Sequence, residues 1–130
     1  MDKELANLKG QADAVMVDFH AEATSEKTAM AYYLDGRVSC IMGTHTHVQT
    51  ADERIFDNGT AYITDVGMTG PADGVIGVKK DLIIKKFTMG LPVQHEIAKG
   101  RGQLNAVIVT IDEENNKAVE IKRIAEYVRV

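Results

Sequence analysis

At 130 residues, with 45% hydrophobic and 26% charged, the chain has the size and composition of one ordinary globular domain spanning 1–130, which excludes a disordered or low-complexity polypeptide. Its net charge of −4 mixes both signs, so there is no basic field for tight sequence-independent binding to a nucleic-acid backbone, although a small nucleotide stays within reach. The single cysteine, Cys40, forms no internal disulfide and fits a reducing compartment. The start Met1-Asp2-Lys3-Glu4 lacks a secretion signal and no run is long enough to cross a bilayer, so a cytoplasmic, membrane-free protein is expected.

Along the chain, Leu5 to Gln11 reads as the last turns of a helix, and Ala12 to Phe19 is apolar enough for a central strand. Thr24 or Ser25 can cap a second helix with Glu26 in its first turn. Ala29, Met30, Tyr33 and Leu34 form its apolar stripe, and Asp35-Gly36 stops it. A second apolar run, Val38 to Met42, completes a strand-helix-strand unit. Such units are right-handed and bury their parallel strands on both faces, which explains two continuous rather than alternating apolar runs. Arg54-Ile55-Phe56 and Thr60 to Thr64, joined by Asp57-Asn58-Gly59, read as a hairpin. Asp65 to Gly74 is a glycine-rich loop without the spacing of a P-loop or a dinucleotide fingerprint. Lys79 to Phe87 fits a short basic amphipathic helix with a solvated lysine face, and Leu104 to Ile111 with Ala118 to Ile124 forms a last hairpin.

The chemistry concentrates in Gly43-Thr44-His45-Thr46-His47, immediately after the second strand. Two imidazoles two residues apart on a strand-to-loop junction form a metal-ligand arrangement suited to zinc, iron or manganese, with Gly43 available for a positive φ and a sharp exit. His20 ends the first strand. If the two strands are parallel neighbours, His20, His45 and His47 gather at the C-terminal edge of the sheet, where open α/β sheets place ligand sites. Asp18, Glu22, Asp52 and Asp65 are the carboxylates nearby in sequence, and Asp18 and Glu22 flank His20 so that either can orient its ring. Cys40 is read as a small buried hydrophobe, and His95 as a surface residue.

Asp18 to Lys27, Gly43 to Thr50 and Thr64 to Pro71, three ungapped blocks in order, resemble the YmdB-like metallophosphoesterases of the calcineurin-like superfamily. The resemblance runs over essentially the whole chain but matches only the C-terminal half of a typical member. It implies an α/β fold in which two mixed sheets form a β-sandwich flanked by helices, here with a βαβ unit and terminal hairpins. It also implies a phosphodiesterase that hydrolyses 2′,3′-cyclic or 3′,5′-cyclic nucleotides with a metal-activated hydroxide. By the same match two divalent metal ions would be held, His20 and His45 on one and His47 on the other, with Thr46, Asp65 and Gly67 near the substrate loop.

The family draws an aspartate, a bridging glutamate, asparagine ligands and a histidine that follows an asparagine from its N-terminal half, and none of those motifs is present here. Three imidazoles alone can hold one zinc, so the alternative is a catalytically silent metal-binding or interaction module. A half sandwich also leaves sheet surface to be covered, by the other half or by a second copy in a homo-oligomer.

Overall fold

The two apolar runs of the strand-helix-strand unit become adjacent parallel strands in the computed structural model, which describes residues 1–129. The elements in order are α1 (Asp2–Leu8), β1 (Met16–His20), α2 (Thr24–Leu34), β2 (Cys40–Thr44), β3 (Arg54–Ile55) and β4 (Ala61–Ile63), followed by β5 (Gly70–Pro71), α3 (Lys80–Met89), β6 (Gly102–Ile111) and β7 (Ala118–Val128). One sheet runs β1-β2-β4-β3, with β1, β2 and β4 parallel and β3 antiparallel to β4; the other is antiparallel, β5-β6-β7.

Alternation along β2 explains the layering. Ile41 faces α2 and joins Val17, Ala31, Leu34, Val38, Phe56 and Tyr62 in one core cluster. Cys40 and Met42 face the other way, toward Ala61, Ala118, Val109 and Ile121 of the second core, which joins the two sheets. The order of layers is helix, first sheet, second sheet. β4 is buried at all three positions because both of its faces are covered. Burial also pushes the Cys40 thiol up to about 11, in keeping with a packed hydrophobe rather than a reactive group.

Several boundaries differ from the sequence reading. α1 starts at Asp2 and has ended by Gly10, whose φ is 78°. β1 ends at His20 as read but starts only at Met16, and β2 is shifted toward the histidines, running from Cys40 to Thr44. Neither Thr24 nor Ser25 caps α2: Ala23 occupies the cap position and no side chain bonds the free N–H groups. The buried face of α2 is Lys27, Ala31 and Leu34, while Ala29 and Tyr33 face outward. α3 ends at Gly90 in the left-handed region, φ 67°, with its N–H bonded to the Lys86 carbonyl. The glycine-rich loop contains the short strand β5, which no periodicity signals.

β1 and β7 are sheet edges. Apolar side chains also stand exposed on and after α3, with Phe87 at 79%. No helix among the described residues is long and apolar enough to cross a membrane.

Candidate functional site

Parallel pairing in the register His20↔Thr44 brings the C-terminal ends of β1 and β2 together. A chain of polar contacts runs across them. The Thr44 hydroxyl donates to Asp18 Oδ1 at 2.8 Å, which leaves the same hydroxyl oxygen to accept from His20 Nδ1 at 3.0 Å. At the other end the Glu22 carboxylate lies against His45 Nε2. Between them His20 Nε2 faces His45 Nδ1 at 3.0 Å, with the rings nearly perpendicular at 83°.

Those partners fix the tautomers. Asp18 accepts only, so Thr44 turns its proton toward it and His20 donates through Nδ1; Glu22 accepts only, so His45 donates through Nε2. Both inner nitrogens then carry lone pairs. With both rings neutral, two lone pairs facing each other at 3.0 Å repel unless a cation sits there, either a metal ion or a proton shared between the nitrogens. Metal–imidazole bonds of about 2.1 Å at right angles would set two nitrogens roughly 3 Å apart, so the pair has the dimensions of one edge of a coordination shell. Imidazole donors whose outer nitrogens are held by a carboxylate or hydroxyl fit a divalent ion such as zinc, iron or manganese.

His47 does not join them. Its Nδ1 is 3.4 Å from the Ile76 carbonyl, and among the described residues no group of three or more His, Cys, Asp and Glu side chains converges on one ion-sized space. Glu22 lies beyond the end of β1, so it reaches His45 from the following loop rather than from a shared strand face. His95 is exposed, as read from the sequence.

The histidine loop is strained and is held from beneath. His45 has φ 120° and His47 φ 66°, both rare for residues other than glycine. Thr46, between them, donates its N–H to Asp65 Oδ2 at 2.9 Å, and Gly67 N–H donates to Asp65 Oδ1 at 2.9 Å. The carboxylate also pairs with Lys27 of α2, whose Nζ lies 2.8 Å from Oδ2. Lys27 is 1% exposed and Asp65 0%. Burial by itself pushes the Asp65 carboxyl up, but the Lys27 ammonium and the two backbone N–H groups outweigh it and hold it below the usual 3.8. Asp65 and Gly67 thus lie under the loop as its supports.

Gly43 serves packing and not chain reversal. It lacks a positive φ, but a Cβ there would stand 1.7 Å from the Thr64 carbonyl oxygen and 2.8 Å from Lys27 Cδ. Asp52 braces the same crossing by accepting from the Thr64 N–H at 3.2 Å and from the Thr64 hydroxyl. Lys27 is the residue that sequence reasoning passed over. Its signal was positional: a lysine in the row Lys27, Ala31, Leu34 on the buried side of a helix.

The packed sheets, the outer helix and a histidine loop at the parallel strand ends define an α/β sandwich of the metallophosphoesterase type. The chain superposes on the crystal structure of a phosphatase from Mycoplasma pneumoniae with TM-score 0.90 at 42% identity, covering 97% of this chain and 44% of that one. On a hypothetical protein from Thermus thermophilus the TM-score is 0.89 at 40% identity, covering 97% and 48%. A profile of the YmdB-like protein family matches residues 1–124, and the chain belongs to that family. It is 53% identical over 123 residues to a 2′,3′-cyclic-nucleotide 2′-phosphodiesterase of Bacillus subtilis (strain 168), a match that covers 95% of this chain. It spans 47% of the length of that relative.

Proposed function

We propose that this chain supplies the histidine side of a metal-dependent phosphodiesterase site acting on 2′,3′-cyclic nucleotides. The observation that carries the reading is the facing pair His20 Nε2 and His45 Nδ1, 3.0 Å apart and both left as lone pairs by their outer partners. His20 and His45 would hold one divalent ion, and His47, two residues on, would serve a second. A cation held there would supply a water of lowered pKa and positive charge against the phosphoryl oxygens of the diester. The chain's own residues do the positioning. Asp18 through Thr44 holds the His20 ring, Glu22 holds the His45 ring, and Asp65 with Lys27 holds the strained main chain between His45 and His47. The remaining ligands would come from the part of a full-length member that this chain does not span.

The test pairs metal content, by plasma mass spectrometry after purification without chelator, with hydrolysis of adenosine 2′,3′-cyclic phosphate. It uses this chain and His20→Ala/His45→Ala. The expected result is bound metal that disappears in the variant, with turnover either from the chain alone or once the missing half is added. Metal without turnover in the reconstituted complex would make the chain a silent binding module. Equal metal content in both proteins would overturn the assignment of the two histidines.

A further inference from the structure

The turn that meets His47 is built on an unexpected residue for its backbone. Val75 and Val78 exchange both main-chain hydrogen bonds, at 2.8 and 3.0 Å, so 75–78 is a two-residue hairpin. Its central residues, Ile76 and Gly77, have φ values of 44° and 91°. Two successive positive φ angles make the type I′ pattern, for which asparagine followed by glycine is the usual choice. A β-branched residue in the left-handed region is an outlier, and such outliers persist only where the surroundings force them. The forcing contacts are present. Lys79 N–H donates to the Glu96 carbonyl and Ala98 N–H to the Gly77 carbonyl, both at 2.9 Å. A Cβ on Gly74 would fall 2.4 Å from the Val78 carbonyl oxygen, so this backbone is hemmed in along its length.

Folding alone does not call for isoleucine there. Ile76 is 54% exposed, and asparagine would satisfy the turn with less strain. What the position offers is proximity to the histidine loop, because its carbonyl lies 3.4 Å from His47 Nδ1. Val75, before it, and Val48, after His47, are also exposed aliphatics, Val48 at 62%.

We propose that the Ile76 tip is a specificity element: an aliphatic contact for the nucleobase of a nucleotide whose phosphodiester lies at the histidines. This rests on the phosphodiesterase reading above. Histidines and a metal recognise what every phosphodiester shares, and the polar loop Thr44 to Thr46 has nothing to receive a flat apolar ring. The exposed Ile76 side chain supplies an apolar contact beside the histidine loop, where its own carbonyl meets His47. A turn already locked by the 96–98 segment would present it with little ordering on binding.

The test is a titration of the zinc-loaded chain, followed by NMR on the Ile76 δ1-methyl and the histidine ring signals. The two probes are adenosine 2′,3′-cyclic phosphate and dimethyl phosphate, a diester without a base. The expected result is an upfield ring-current shift of the Ile76 methyl with the adenosine ligand only, and binding about fivefold or more tighter than that of dimethyl phosphate. Ile76→Asn suits the turn but removes the contact, and should cut that preference to about twofold or less, whereas Ile76→Val should retain it. The inference is overturned if the adenosine ligand moves the His45 and His47 signals while the Ile76 methyl stays still, or if Ile76→Asn keeps the full preference. If neither probe moves any histidine signal even when the N-terminal half of a family member is added, the phosphodiesterase reading itself fails and the Ile76 contact falls with it.

Discussion

Replacing Lys27 with methionine tests whether the histidine loop rests on a buried ion pair. Lys27 and Asp65 are 1% and 0% exposed, with Nζ 2.8 Å from Oδ2. Methionine fills much of the volume of the lysine stem but removes the charge. The Asp65 carboxylate would keep its two backbone donors, Thr46 and Gly67, each at 2.9 Å, and would lose its counter-ion. Stranding one member of a buried pair costs about 3–5 kcal/mol. With an unfolding entropy of about 2.1 cal/mol/K per residue, a chain of 130 residues should then melt roughly 11–18 °C lower. The loss should shrink as pH falls, because burial without the ammonium raises the Asp65 carboxyl and protonation removes the stranded charge.

The double variant Lys27→Met/Asp65→Asn should recover about 2 kcal/mol of the loss, since no uncompensated charge is left inside. Melting curves followed by circular dichroism at neutral pH give all three values, and the Thr46 amide proton shift reports whether its bond to residue 65 survives. A Lys27→Met protein that melts within about 3 °C of the parent, where 3–5 kcal/mol is expected, would refute the reasoning. It would mean that Asp65 does not depend on Lys27 for compensation.

Gly43→Ala should be more damaging than its single methyl suggests, because the new carbon would stand 1.7 Å from a backbone oxygen that no rotamer change can move. A loss of about 3 kcal/mol, at the upper end for overpacking, is expected in urea denaturation, with the Val66 N–H to Gly43 carbonyl bond disturbed as well. Acid should unfold the protein through its lowered carboxyls. Burial pushes Asp65 and Asp52 up, but Lys27 and two backbone N–H groups on the first, and the Thr50 and Thr64 hydroxyls on the second, bring both below 3.8. The unfolded chain therefore takes up these protons first, so their contribution is complete above that value and is lost as pH falls through the folded pKa values. The urea midpoint should hold level down to about pH 5 and drop below about pH 4, and Lys27→Met/Asp65→Asn should flatten the drop.

What the sequence made legible followed from where its information is local. The strand-helix-strand unit could be read because β1 and β2 are continuous apolar runs with a capped-looking, glycine-stopped helix between them, and parallel pairing then placed His20 beside the histidine loop. Both hairpins could be read from their turn residues. The features that escaped depend on contacts between residues far apart in the chain. Lys27 resembles any solvated helical lysine until Asp65, thirty-eight positions away, is seen to meet it. Gly43 resembles a loop glycine until the Thr64 carbonyl comes up against it. β5 has two residues and no period to detect.

The same contrast explains why the residues alone gathered all three histidines, while only the family resemblance set His47 apart from His20 and His45. Spacing in sequence says that His45 and His47 are two residues apart, but direction in space is decided by φ at each of them. Those angles, 120° and 66°, are imposed on the main chain while Thr46 N–H is pinned to Asp65. His45 is thereby turned toward His20, and His47 toward the Ile76 turn. A single buried carboxylate thus lies beneath the point where the two rings part company. The divergence of the two rings is fixed from the Lys27–Asp65 pair, which touches neither of them.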